Sequence, residues 1–123
     1  MSRLLLALFV ALGCAASGCQ SAAHPELRVV GSRQQVVFVQ VTNPASHPMR
    51  LSKLDYQFMA DGQRTVYKDT LQLDEEVPAG EAIVVEVPLA SDAKVPMTLT
   101  GTLTAELDQI VRIFQVRAQV QPH

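Results

Sequence analysis

Apolar residues recur at every second position through most of the chain after Glu26, which is the pattern of half-buried β-strands. The clearest run is 97–107, where methionine, leucine, glycine and alanine alternate with threonine and one glutamate. The strands predicted from this period are 26–30, 37–41, 54–60, 64–71, 83–89, 97–107 and 114–120. No segment sustains a helical period, so an all-β domain is predicted over residues 26–123.

Proline, glycine and acidic residues separate these runs and predict where the chain turns. Asn43-Pro44 and His47-Pro48 stop one strand, because proline donates no backbone N–H, and the segment is expected to leave one sheet and enter the other. The Asn43 side chain can cap this turn. Asp61-Gly62 and Asp108-Gln109 predict hairpin turns, and Pro78-Ala79-Gly80 introduces the fifth strand. Seven short antiparallel strands favour a two-sheet β-sandwich over a small closed barrel, since several strands alternate cleanly.

The first 18 residues read as a signal peptide. Arg3 supplies a positive start, and residues 4–13 form an uncharged apolar run that is too short to span a bilayer. Small residues follow this run. Residues 1–18 are therefore predicted to direct export and to be removed.

Cysteine usage indicates how the exported chain is held. The chain contains only Cys14 and Cys19, so neither a disulfide framework nor a zinc site is predicted. Ala16-Ser17-Gly18-Cys19 resembles the lipobox of bacterial lipoproteins, in which the cysteine thiol accepts a lipid and becomes the first residue. The resemblance implies lipidation at Cys19 and a membrane partner reached through that lipid; Cys14 is the weaker candidate.

The resemblance also implies a location in the cell envelope. Gln20, rather than aspartate, follows the lipidated position, which favours the outer membrane, facing the periplasm, with residues 19–25 as a short tether. The alternative is a soluble periplasmic or secreted protein, cleaved after Ser21-Ala22-Ala23 and before His24.

The charge balance excludes some classes of partner. Without Arg3, nine basic side chains remain against twelve acidic ones. A net negative domain is not expected to bind nucleic acid, and it offers no polybasic patch for anionic lipids.

The ordered set of motif residues resembles the LEA14-like domain (late embryogenesis abundant type 2, or water-stress and hypersensitive-response domain). The matching residues are Val39, Val41, Asn43, Pro44, Leu51, Leu54, Asp55, Tyr56, Gly62, Pro78, Gly80, Val85, Val87, Pro88, Leu99, Gly101 and Leu103. The resemblance implies an immunoglobulin- or fibronectin-like sandwich and a link to desiccation and stress tolerance. It brings no catalytic residues.

Candidate chemistry is sparse elsewhere in the chain. The histidines, His24, His47 and His123, are far apart in sequence and are interpreted as exposed loop residues. The run Asp74-Glu75-Glu76 lacks the ligand spacing of a calcium loop and is interpreted as a solvated acidic turn. The serines at 46, 52 and 91 lack a nucleophile motif. We therefore expect no enzymatic activity, no cofactor and no metal.

These observations predict a non-enzymatic, lipid-anchored envelope protein that acts in stress protection or as an interaction module. One alternative is an accessory subunit that docks on an envelope protein by adding a strand at a sheet edge. Another is a binder of an acyl chain in a slot lined by Tyr56 and Phe58, although aromatic side chains on an inward strand face more often fill the core.

Overall fold

Seven β-strands account for most of residues 24–60, 64–89 and 95–121, which the computed structural model describes. The strands are β1 (Glu26–Arg33), β2 (Val36–Thr42), β3 (Met49–Ala60), β4 (Arg64–Val77), β5 (Ala82–Pro88), β6 (Met97–Leu107) and β7 (Ile110–Val120). Several predictions concern residues outside these ranges: the signal peptide, Cys19 with most of its tether, the Asp61-Gly62 turn, Ser91 and His123.

The strands form two antiparallel sheets, which confirms the predicted β-sandwich. One sheet has three strands in the order β1-β2-β5, and the other has four in the order β4-β3-β6-β7. The chain crosses between the sheets through residues 43–48, which is the change of sheet that Asn43-Pro44 and His47-Pro48 predict. In constant-type immunoglobulin domains the fourth strand joins the first sheet. Here β4 pairs with β3, so the arrangement is the fibronectin-like form.

The core lies between the sheets and is built from the alternating residues. Val37, Val39 and Val41 of β2 belong to one buried cluster with Leu99 and Leu103 of β6, which lies in the other sheet. Burial of this aliphatic surface is the main favourable term in folding, at roughly 1.5–3 kcal/mol for each fully buried side chain. In β2 and β6, where the sequence alternates clearly, the apolar residues at alternate positions are therefore the ones that the core buries.

Four strands are at least three residues longer than predicted, because the alternation is interrupted within them. β1 continues past a bulge between Val29 and Gly31 to Arg33. In β3, Leu51 and Leu54 are both buried, although an odd spacing should place them on opposite faces. A β-bulge between Leu51 and Lys53 restores the inward orientation. β3 therefore begins at Met49, five residues before the predicted start. β4 continues to Val77 across the same register shift, which lies opposite Leu51 and Lys53, and β7 begins at Ile110 rather than Phe114.

The pairing register places several chain segments at one end of the sandwich. Glu26 pairs with Thr42, and Met49 pairs with both Val77 and Leu107. The start of β1, the β2–β3 turn, the β4–β5 turn and the β6–β7 turn therefore share this end, which we call the N-terminal end. Val95 and Pro96, which directly precede β6, lie at the opposite end, because β6 spans ~33 Å between its first and last residues.

Candidate interaction surfaces

Asn43 joins two turns at the N-terminal end through its buried side chain. Its Nδ2 donates to the backbone oxygens of His47 (2.9 Å) and Val77 (3.1 Å), with a longer contact to Pro78 O (3.3 Å). Its Oδ1 accepts from the backbone N–H of Ala45 at 2.9 Å. The side chain has no exposed area. Asn43 therefore caps its own turn, as predicted, and also holds the β4–β5 connection 34 residues away.

The second turn is arranged to receive Asn43. The backbone N–H of Asn43 donates to the carbonyl of Glu81 at 2.9 Å, and the N–H of Glu81 donates to the carbonyl of Pro78 at 3.1 Å. Gly80, between Pro78 and Glu81, has φ +70°, a backbone conformation that residues other than glycine rarely adopt. The motifs at 43–44 and 78–80 are thus parts of one structural unit, and these residues support the fold.

Tyr56 connects the two sheets from the middle of β3. Its ring is almost fully buried and packs edge-on against Phe58, with centroids 5.6 Å apart. Its hydroxyl donates to the carbonyl of Pro88, at the end of β5 in the other sheet, at 2.8 Å. Both rings fill the core, so a ligand could reach them only by displacing core side chains.

Burial of Tyr56 raises the pKa of its hydroxyl well above the ordinary tyrosine value, and the neighbouring Tyr67 and Asp69 add to the shift. A raised pKa means that the neutral form stabilises the folded state fully below pH ~10, and that this stabilisation is lost as the pH rises further. The chain has two tyrosines and no tryptophan, so tyrosinate absorbance reports on them cleanly. We expect Tyr56 to ionise only when the protein unfolds in alkali.

Tyr56→Phe checks this expectation, because Tyr67 is then the one remaining titrating tyrosine. Its exposed hydroxyl donates to Asp69 at 3.0 Å, which raises its pKa as well. In a titration with alkali, the variant should lose the absorbance step at higher pH, which belongs to Tyr56, and keep the step at lower pH, which belongs to Tyr67. It should be less stable than the wild type by about 1 kcal/mol at neutral pH. Two steps persisting in the variant would contradict the assignment.

Gly101 lies where β6 runs close to the backbone of β3 at Asp55 and Tyr56. Gly101 pairs with Tyr56, and a Cβ on Gly101 would lie 2.2 Å from the backbone oxygen of Asp55 and 2.9 Å from the Cα of Tyr56. Asp55 points to the outer face, where its carboxylate accepts from the Thr70 hydroxyl and lies 3.8 Å from the Lys53 ammonium. The requirement for glycine is therefore set by backbone contact between two central strands.

Two open depressions meet over Gly101 on the outer face of the four-stranded sheet. Their volumes are about 690 and 530 Å³. Both include Gln57, Thr100 and Thr102; the first extends to Arg117 and to the start of β1, and the second to Lys68 and Asp69. Hydroxyl, amide and charged groups line both, beside apolar surface of similar extent. This face can hydrogen-bond to water or to a polar partner.

The acidic run was placed in a loop by sequence reasoning, and this is wrong. Asp74, Glu75 and Glu76 belong to β4, where Asp74 adopts a positive φ of 51° at a bulge opposite Leu51 and Lys53. These charged residues interrupt the alternation of apolar and polar residues in the sequence, so the pattern predicts that the strand ends there. The bulge keeps them within β4. The Arg50 guanidinium pairs with Asp74. The run is exposed, and an acidic, bulged edge strand is protected from pairing with other chains.

Exposed apolar residues form a feature that sequence reasoning missed. They are Val30, Val84, Val95, Ile110, Val111 and Ile113. Three of them fall within residues 110–113, at the start of β7, where three of four residues are apolar and the alternation fails. That local failure is the signal that could have identified an exposed apolar strand.

The described histidines lie on separate elements of the N-terminal end. The ring of His24 packs edge-on against Phe114 with centroids 5.4 Å apart, and His47 Nδ1 lies 3.6 Å from Asp108 Oδ1. Within residues 24–60, 64–89 and 95–121, no group of three or more His, Cys, Asp or Glu side chains could hold a metal ion. No helix in the same residues is long and apolar enough to cross a membrane.

Comparison with known proteins identifies the fold but no family. The chain matches no protein-family model and no curated protein sequence. It is similar to the solution structure of AT1g01470 from Arabidopsis thaliana, a LEA14-like protein, with a TM-score of 0.50 and 14% sequence identity. The match covers 80% of this chain and 78% of that one. At this identity the likeness concerns the fold, which is a LEA-type β-sandwich.

Proposed function

We propose, starting from a LEA-type β-sandwich, that the protein is a non-enzymatic, lipid-anchored component of the bacterial envelope that acts in stress protection or as an interaction module. The observation that carries the proposal is the order of elements. An apolar leader ends in Ala16-Ser17-Gly18-Cys19, and β1 begins at Glu26, only seven residues after the cysteine. A chain of this length reaches at most ~25 Å, so the domain is held close to the membrane.

The surface chemistry supports a role in which the domain contacts water, polymers or proteins and transforms no substrate. The depressions over Gly101 present Thr100, Thr102 and Gln57 in open, solvent-accessible surroundings. Catalysis of hydrolysis needs a nucleophile, a base and a charge-stabilising donor held together. His24 instead contacts Phe114 of β7, and His47 lies beside Asp108 in the β6–β7 turn.

The test of the anchor is the chemistry of the mature N-terminus. In the wild type, mass spectrometry should find an acylated Cys19 as the first residue, and the protein should sediment with membranes. Cys19→Ser should block lipid attachment and leave a longer, unprocessed precursor, because serine cannot form the thioether.

Cys14→Ser is the matched control and should be processed and acylated as the wild type is. A mature chain that begins at His24 with no lipid would overturn the anchor and favour the soluble, secreted alternative. The stress role has a separate test, since a deletion strain should survive drying and osmotic shock less well than its parent.

A further inference from the structure

The start of β7 exposes three large apolar side chains in a row of four residues. Ile110, Val111 and Ile113 are 54%, 65% and 66% exposed, respectively. Isolated apolar residues on a surface are ordinary, whereas adjacent ones mark a surface that meets an apolar partner. These three lie on an edge strand of the four-stranded sheet.

Residues 110–113 carry apolar side chains on both faces of the sheet, with Arg112 as the one charged residue among them. Ile110 pairs with Leu107, whose side chain is buried, and Val111 pairs with Glu106 on the outer face. Since successive side chains of a strand point to opposite faces, Ile110 lies on the core side and Val111 and Ile113 on the outer side. A flat protein partner would cover one face of the strand, whereas a lipid medium surrounds both.

The position of the segment relates it to the proposed anchor. It lies at the N-terminal end, where β1 begins and His24 packs against Phe114. Cys19 precedes His24 by five residues, so the lipidated position lies within ~18 Å of His24. The four residues between them are Gln, Ser, Ala and Ala, which offer no large apolar side chain to cover the segment.

The charges at this end favour an apolar attachment over an electrostatic one. Glu76, Glu106 and Asp108 line the surface beside the segment, with Arg50 among them, and Arg112 lies within the segment. The three carboxylates outnumber these two arginines. Carboxylates repel anionic headgroups, so attraction to acidic lipids would not draw this end towards a bilayer. Transfer of isoleucine and valine side chains out of water would do so in a zwitterionic membrane.

We infer that residues 110–113 insert into the headgroup region of the membrane that holds the lipid on Cys19, and orient the sandwich with its N-terminal end towards the bilayer. The inference rests on the proposed lipid anchor. Insertion is shallow, because the free edge of β7 carries backbone N–H and C=O groups that need water or headgroups as partners.

The test uses the full mature lipoprotein reconstituted in phosphatidylcholine–phosphatidylethanolamine vesicles. Lipidation consumes the thiol of Cys19, so Val111→Cys introduces a unique free thiol for a polarity-sensitive fluorophore. Its emission should shift to the blue in vesicles, and lipids brominated near the headgroup should quench most of this emission. Val95→Cys is the matched control: Val95 is 46% exposed, precedes β6 at the opposite end, and should show neither effect.

A third variant separates insertion from mere closeness to the tether. Ile110→Ser and Ile113→Ser combined with Val111→Cys should abolish the quenching while the protein still floats with the vesicles. Replacing exposed side chains should change stability by only about 0.5 kcal/mol each, so folding is retained.

The outcomes distinguish the two proposals. Protein that does not float overturns the anchor itself. Floating protein whose Val111→Cys label is unquenched, or is quenched equally after the serine substitutions, overturns the insertion. Blue-shifted emission that brominated lipid does not quench, together with a doubled mass in detergent, would assign the segment to an interface between two copies. That result would also overturn the insertion. Added anionic lipid should not strengthen the quenching.

Discussion

Gly101→Ala is expected to lower the free energy of unfolding by about 3 kcal/mol or more, although it adds only a methyl group. The new Cβ would lie 2.2 Å from the Asp55 backbone oxygen and 2.9 Å from the Tyr56 Cα. Both are main-chain atoms of the neighbouring central strand, so no side chain can rotate away to make room. β3 and β6 would have to separate where they hold the middle of the four-stranded sheet.

Gly31→Ala is the matched control, because it is also a substitution of a strand glycine. At Gly31 the nearest atom to an added Cβ is in the Phe38 side chain at 3.9 Å, an ordinary contact. Its stability should stay within about 1 kcal/mol of the wild type. Urea unfolding followed by circular dichroism measures both. Equal stability of the two variants would show that the strands adjust more easily than this packing implies.

Asn43→Ala is expected to cost about 3–4 kcal/mol. Three backbone groups lose their partner together: the carbonyls of His47 and Val77 and the N–H of Ala45. A buried polar group left unsatisfied costs roughly 1–3 kcal/mol. The loss also separates the two turns that Asn43 joins. Thermal unfolding measures the effect, and Thr70→Val, which removes only an exposed hydrogen bond to Asp55, should change stability by about 0.5 kcal/mol.

Asn43→Asp gives the same site a pH-dependent readout. The new carboxyl group would be buried with an oxygen facing the carbonyl oxygens of His47 and Val77, so its folded-state pKa would lie above the unfolded value of ~3.9. Stability from the protonated form is then present below that value and lost as the pH rises. The difference in free energy of unfolding between the variant and the wild type should therefore increase from pH 4 to pH 7. A constant difference would contradict the geometry at Asn43.

The sequence predicted the parts of this fold that depend on local alternation. Val37, Val39 and Val41 show their inward face directly, because consecutive residues of a regular strand point to opposite sides. Leu51 and Leu54 do not, since the bulge between them changes the phase of the pattern. Alternation therefore gives the presence of a strand more reliably than its ends.

Contacts between distant segments could not be predicted in the same way. Asn43-Pro44 indicates a turn, but nothing near it reveals that its amide donates to Val77 O, 34 residues later. Tyr56 read correctly as a core residue, yet its hydrogen bond to Pro88 depends on how the two sheets pack. The exposed segment 110–113 was overlooked because its residues look like core residues in composition alone.

The strand order also has a consequence for the timing of folding during synthesis or export. β2 completes its sheet only with β5, and β3, although it can form a hairpin with β4, has β6 as its other neighbour. Neither sheet can be finished until the last third of the polypeptide is available. Topologies dominated by such distant pairings fold in milliseconds to seconds. Slow closure of this kind is compatible with the export proposed above, since a chain that is still open can be threaded through a narrow translocation channel.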